Sequence, residues 1–434
     1  MAKVLLNCLD VVGESMAGPA IRYWELAKAL AATHEVTLFI PNQTTIKPEN
    51  FQLISACNQS LNSILKNYDA MISQQFTQRK ALLARKHGVK LILDAYDPQP
   101  LEFLEIFKYE KPLVRNTKYE WNLQSMLFSF HMADAVICAN SKQKDLWLGL
   151  LLGGKQLTPK IYAQDCSLKQ LIDTVPFGLS SKPPMKNGNG FRKMFQLAET
   201  DKIVVWGGGI WNWFDPLTLI QAIAQIAKER SDIKLIFMGT KHPNRNVPEM
   251  KMTLDAIALA KELKIIDQSV FFNYSWVPYE ERGSYLLEAD MGVSTHFDHL
   301  ETQFSFRTRI LDYLWAELPI ITTQGDGFAE LVEKHHLGYV VPYLDVPSLV
   351  KAITSIADHP EMVKTMKTNI ATLKKNFYWT TLVKPLDRML QNIDKQEHRE
   401  TFPTWHVLKS CFHLFEFKTL CKAIYLKLKR KLQR

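Results

Sequence analysis

The sequence predicts an α/β protein made of two doubly wound, parallel-sheet domains, and three observations carry that expectation. Two well-separated stretches begin with a buried strand and then a glycine-bearing loop: Lys3 to Leu9 feeds Gly13 to Pro19, and Lys202 to Trp206 runs straight into Gly207-Gly208-Gly209. A proline- and glycine-rich run from Ser180 to Gly190 lies between them and marks a linker. Finally, Phe304 to Val332 reads as an apolar helix, a buried strand entered through Pro319, and a Gly325-Asp326-Gly327 turn opening another helix. That order belongs to an open sheet with its ligand at the strand ends.

Composition sets the outer limits. At 434 residues the chain exceeds one ordinary core, and 47% hydrophobic with 22% charged residues describes a folded globular protein. No apolar run approaches the roughly 20 residues that span a bilayer, and MAKVLLNCLD lacks the basic start and long apolar core of a secretion signal, so a cytoplasmic location is expected. Cys8, Cys57, Cys138, Cys166, Cys411 and Cys421 form no C-x-x-C pair and no metal spacing, which argues against a disulfide framework or a zinc knuckle. They read as small buried hydrophobes. The net charge of +9 admits nucleic acid, an anionic membrane or an anionic substrate, and much of the excess falls in the last thirty residues. No nucleic-acid recognition motif accompanies it, so nucleic acid is not expected as a partner.

Along the first domain, placed at 1–180, a helix from about Ala20 to Ala32 follows the glycine loop, with strands at 34–40, 90–94 and 135–139. Gly18-Pro19 opens the helix with proline at a favourable first position, and Arg22 follows, either facing a phosphate in a cleft or lying on the surface. Asp97, before Pro98, is either a polar group near a reacting centre or a turn-forming residue. Asn140-Ser141 either points polar groups at a substrate or caps the helix from Lys142.

The second domain, placed at 190–377, carries the stronger signals. Glycines 207 to 209 directly after a strand let backbone amides approach phosphate oxygens with no Cβ in the way. The spacing is neither G-x-G-x-x-G nor a P-loop, which sets aside a dinucleotide oxidoreductase. Lys241 ends a further strand and offers a cleft cation, and Trp276-Val277-Pro278 follows the next strand. On the helix within Phe304 to Val332, Arg309 and Asp312 share a face while Ile310, Leu311, Leu314 and Trp315 form the inward stripe. Arg307 and Arg309 offer fixed guanidinium donors to phosphate oxygens, and Asp312 can accept two hydrogen bonds from a vicinal diol.

LDYLWAELPIITT followed by GDGFAELV resembles the donor-binding segment of retaining glycosyltransferases of the GT-B fold, of the family-four (glycosyl transferases group 1) type, usually written E-A-M-A-x-G-x-P-V-I then G-G-x-x-E. The resemblance extends over about residues 1 to 392 and is strongest from 200 to 342. It implies two Rossmann-like domains facing a cleft: an acceptor-binding first domain, braced by a return helix at 378–392, and a second domain that holds a nucleotide-diphosphate sugar. On that match Asp312 grips the ribose hydroxyls, Val277 lies where backbone groups read the base, Arg307 and Arg309 clamp the diphosphate, and Gly18, Arg22 and Asn140 lie on the acceptor side. Asp97, Arg309 and Glu301 are the catalytic candidates. The chain departs from the family at Phe304, where a glutamate is usual and Glu301 is the nearest substitute, and at Trp211 to Pro216, which supply neither the usual arginine nor lysine. The implied reaction is sugar transfer, with retention of configuration and with no cofactor or bound metal, to a glycan or lipid-linked glycan in surface polysaccharide or glycolipid assembly. The alternatives are a nucleotide-sugar 2-epimerase of the same fold and a non-catalytic scaffold.

From Trp405 to Arg434, Leu408, Phe412, Phe415, Leu420, Ile424 and Leu428 recur at helical spacing among Lys409, Lys418, Lys422, Lys427, Lys429, Arg430 and Lys431. This basic amphipathic tail, 402–434, is read either as an interfacial helix on the anionic inner face of a membrane or as a helix docked on protein.

Overall fold

A computed structural model describes residues 1–393. The first sheet holds β1 (Lys3–Asn7), β2 (Glu35–Ile40), β3 (Gln52–Ser55), β4 (Ala70–Ser73), β5 (Lys90–Asp94), β6 (Ala135–Cys138) and β7 (Ile172–Thr174) in the order β3-β2-β1-β4-β5-β6-β7. The second holds β8 (Lys202–Trp206), β9 (Ile233–Phe237), β10 (Val270–Phe272), β11 (Met291–Ser294), β12 (Ile320–Thr323) and β13 (Gly338–Val341) in the order β10-β9-β8-β11-β12-β13. Every pairing within these sheets is parallel, so each strand is joined to the next by a crossover and both faces are covered. That cover explains the near-continuous apolar runs: β4 and β5 are buried at every position.

Strand order reverses between β1 and β4 in the first sheet and between β8 and β11 in the second. Crevices open at the carboxyl ends of strands at such points, so the topology alone puts one ligand crevice in each domain. Tyr313, on the helix Thr308–Trp315, spans the second of them: its hydroxyl accepts from the Gly207 amide (2.9 Å) and reaches the carbonyls of Val293 (2.8 Å) and Val205 (3.1 Å). The ring fits because residue 292 is glycine, where a Cβ would lie 2.4 Å from the Tyr313 ring.

After β13 the chain returns to the first domain. Leu179 bridges Tyr378, Trp379 packs on Phe177 with ring centroids 5.2 Å apart, and Asp387 meets Thr33 Oγ1 and His34 Nε2, each at 2.9 Å.

The stretch from Phe304 is not one helix. Leu300–Phe304 is a separate turn of helix, and Arg307 is the residue capping Thr308–Trp315, outside it. Ile310, Leu311, Leu314 and Trp315 are buried as their spacing requires. Cys8 and Cys138 are buried, but Cys57 and Cys166 are exposed, against the expectation of buried cysteines. Among the described residues no helix is long and apolar enough to cross a membrane. The tail, 402–434, lies outside the described residues.

Candidate active site in the interdomain cleft

The two crevices face each other and merge into one cavity of about 580 Å³. From the first domain it is lined by Asp10, Gly18, Gln74, Asp97 and Glu102, and from the second by Gly207 to Gly209, Val277, Glu301, Arg307, Arg309 and Asp312, among others. Direct hydrogen bonds join the domains around it. Trp276 Nε1 donates to Met16 O (3.0 Å), Asn244 Nδ2 to Asp10 Oδ1 (2.8 Å), and the Tyr279 amide to Glu14 O (2.8 Å). Lys108 Nζ donates to Asn212 O (3.2 Å), and Gln143 Nε2 to Phe304 O (2.9 Å).

Arg309 forms the cationic pole. Its guanidinium lies between the rings of Phe214 (3.9 Å) and Trp206 (4.4 Å), and Nη2 donates to Gly209 O (2.9 Å). Among the described residues no carboxylate pairs with it and Nη1 has no hydrogen-bond partner, and burial pushes its pKa down to about 9. It remains a cation at neutral pH, buried beside a cavity without a counter-ion. The glycine loop supports it: Gly208 has φ +71°, a left-handed conformation suited to glycine. Gly207 departs from the expected phosphate cradle because its amide is committed to Tyr313. That leaves the amides of Gly208 and Gly209.

Arg307 is held by carboxylates instead. It makes a two-pronged pair with Glu301, Nη1 to Oε1 at 2.8 Å and Nη2 to Oε2 at 2.7 Å, and Asp326 Oδ2 lies 3.6 Å from its Nε. Its charge is already matched, so a free diphosphate clamp at this position is corrected to an internally neutralised one. Burial raises Asp326 to about 6 despite Arg307, and burial with Arg307 nearby keeps His296 well below the usual imidazole value.

Asp312 is partly exposed to the cavity and takes a hydrogen bond from Arg282 Nε at 3.2 Å. Burial still raises its pKa, with Arg282 opposing.

Opposite Arg309 lies an acidic pole. Burial pushes Asp97 up to about 7, against a hydrogen bond from Tyr96, and burial together with Asp97 and Glu301 pushes Glu102 well above the carboxylate range. A carboxyl that takes up a proton can donate as well as accept, and burial favours that form for both groups.

Three expected site residues lie elsewhere. Arg22 is fully buried, with Nε and Nη2 each 2.8 Å from the Asp94 carboxylate and further bonds to the carbonyls of Val175 and Pro176. Ionic demand from Asp94 turned it inward. Lys241 is exposed and does not line the cavity, where its neighbour His242 does. Asn140 does not line it either: its side chain caps the helix Ser141–Gly153 through the Gln143 amide (2.8 Å) and donates to Ser305 O (3.2 Å). Sequence reasoning missed Glu102, Arg282, His242 and the tryptophans 211, 213 and 276, all on the cavity wall. Of these only the tryptophans carried a signal, Trp211 and Trp213 as large rings beside a glycine loop and Trp276 within the Trp276-Val277-Pro278 run. Among the described residues no group of three or more His, Cys, Asp or Glu side chains is arranged to hold a metal ion.

Two parallel α/β domains whose switch points share one cleft define the GT-B fold. Residues 201–359 match the family model described as Glycosyl transferases group 1. Residues 201–359 thus carry a domain of the glycosyl transferases group 1 type, and it forms the Arg309 side of the cleft. The same fold occurs in sucrose-phosphate synthase from Thermosynechococcus elongatus (TM-score 0.63, 16% identity, 92% of this chain and 100% of that chain). HepE from Anabaena, solved with UDP and glucose, gives a TM-score of 0.60 at 14% identity over 90% of this chain and 100% of its own. WaaG, a glycosyltransferase involved in lipopolysaccharide biosynthesis, gives 0.58 at 14% identity over 89% and 99%. A comparison with curated proteins found no match.

Proposed function

We propose that the protein transfers a sugar from a nucleoside-diphosphate sugar to a glycan or lipid-linked glycan, with retention of configuration. The observation that carries the donor assignment is Arg309, a cation buried beside the cavity that has, among the described residues, one donor edge unpaired and no carboxylate to neutralise it. A diphosphate would supply the missing charge, and the Gly208 and Gly209 amides would supply neutral donors beside it. The resemblance in HepE, solved with UDP and glucose, supports the same reading.

In the reaction the leaving diphosphate gains charge as the glycosidic oxygen departs, and Arg309 stabilises that charge where it develops. Arg307, held rigid by Glu301, adds a fixed field without offering a free cation. Asp312 orients the ribose, and Asp97 and Glu102 hold sugar or acceptor hydroxyls at the opposite wall, so much of the advantage is positional. Attack from the face that the nucleotide leaves retains the anomeric configuration. The charge work falls on this chain's own arginines and amides, and no cofactor enters this proposal. A setting in surface polysaccharide or glycolipid assembly, with the protein at the inner face of the membrane, agrees with the basic tail in the sequence and with the involvement of WaaG in lipopolysaccharide biosynthesis.

The test is nucleotide release from UDP-, GDP- and dTDP-sugars, with and without a glycan or glycolipid extract as acceptor. Acceptor-dependent release supports transfer. Sugar interconversion without acceptor points to an epimerase, and inertness of folded protein toward every donor points to a scaffold.

A further inference from the structure

Arg282 is the third arginine lining the cavity, and nothing in its sequence neighbourhood, Tyr279-Glu280-Glu281-Arg282, marks it. Its guanidinium is sandwiched between the rings of Tyr279 (3.8 Å) and Trp315 (4.4 Å), and Nη1 donates to Tyr279 O at 2.7 Å. These contacts fix the fork and aim Nε at Asp312 Oδ1, 3.2 Å away. One carboxylate oxygen is thereby anchored, and Oδ2 has no hydrogen bond among the described residues.

We propose that Arg282 is a positioning residue that holds the Asp312 carboxylate turned to read the cis-diol of the donor ribose. This deepens the reading of the cleft as a nucleoside-diphosphate site and rests on it. Aspartate has a shorter arm and more freedom to turn toward solvent than its task allows, and the stacked arginine removes that freedom. A carboxylate accepts at up to four sites, so one bond to Arg282 leaves capacity for both hydroxyls. Burial favours the protonated acid, which would lose an acceptor, and the adjacent guanidinium opposes that. Lysine cannot substitute, because an ammonium neither stacks between two rings nor offers a planar fork. The placement also links the domains. Tyr279, which carries the stack, donates its amide to Glu14 O in the first domain, so the diol reader is braced on a residue that closes the cleft.

The experiment is calorimetric binding of UDP and GDP and of their 2′,3′-dideoxy forms to wild type, Arg282→Gln and Arg282→Lys, each first shown to be folded by its melting transition. Wild type should lose about tenfold or more in affinity when the hydroxyls are removed, as expected for hydrogen bonds to a charged group. Arg282→Gln should weaken the ribose form by about tenfold and leave the dideoxy form unchanged, and Arg282→Lys should behave like Gln. In Arg282→Gln the ribose preference should also fade as pH falls, because Asp312 then takes a proton at a higher pH than in wild type. Equal weakening of ribose and dideoxy forms would reduce Arg282 to a structural role and overturn the proposal. Equal affinity of wild type for both forms would overturn it while leaving the diphosphate site standing. Failure of folded wild type to bind either nucleotide would remove both.

Discussion

Replacing Arg309 by methionine separates ligand chemistry from fold stability. In the unliganded protein the side chain gains from two ring contacts, up to about 2 kcal/mol each when desolvated. One bond to Gly209 O adds about 1.5–3 kcal/mol. Against this stands an ion buried without a counter-ion, a cost of several kcal/mol after relaxation. The two sides nearly cancel, and methionine fills much of the same space with a flexible apolar chain. Arg309→Met should therefore change unfolding free energy by no more than about 1–2 kcal/mol. With a diphosphate in the cleft the balance differs, because the charge is then matched and the unpaired Nη1 finds an acceptor. Losing one such charge-assisted bond removes about 1.5–3 kcal/mol of binding, roughly tenfold to 150-fold in affinity. The assay pairs urea unfolding of the free protein with calorimetric titration of UDP and GDP. Unchanged nucleotide affinity in the variant would refute the reasoning, as would a stability loss well beyond 2 kcal/mol.

Arg22→Met should cost about 3–5 kcal/mol, because it strands the fully buried Asp94 carboxylate, and adding Asp94→Asn should recover much of the loss in urea unfolding. Asp97, raised to about 7, keeps its proton in the folded state where the unfolded carboxyl has lost it. Its contribution is thus complete below about pH 4 and is lost as pH rises through about 7. The melting temperature of wild type relative to Asp97→Asn should fall across that window. Gly292→Ala puts a Cβ 2.4 Å from the Tyr313 ring and should cost about 1–3 kcal/mol by overpacking. It should also weaken nucleotide binding, since Tyr313 holds the glycine loop, and both effects are read by melting with and without UDP.

The parts of this fold legible in sequence were those with enough residues to show a period or a punctuated end. β1, β5 and β8 are five-residue apolar runs closed by glycine or polar residues, and the cleft forms at their ends, whereas β12, with four residues, is marked by Pro319 before it and Gly325 after it. β3, β4 and β7 run to four residues or fewer, and β4, central in its sheet, leaves only Ala-Met-Ile-Ser as a trace. Arg309 and Asp312 were legible because both fall on one face of a strongly patterned helix. What sequence spacing conceals is the partner of a charge. Arg22 and Arg307 look like Arg309 in one dimension, yet Asp94 and Glu301 claim them, the former from 72 positions away. Arg282 and Asp312 are 30 apart, and Glu102 gains significance only because its helix faces the second domain. The Gly207 amide looked free for the same reason, since Tyr313 reaches it from 106 residues on.

The most direct test of the central claim is a crystal structure of the protein with UDP or GDP bound. The diphosphate should lie against Arg309 Nη1 and the Gly208–Gly209 turn, with the ribose hydroxyls at Asp312 and the base near Val277. A diphosphate ordered away from Arg309, with that arginine still unpaired between Trp206 and Phe214, would contradict it.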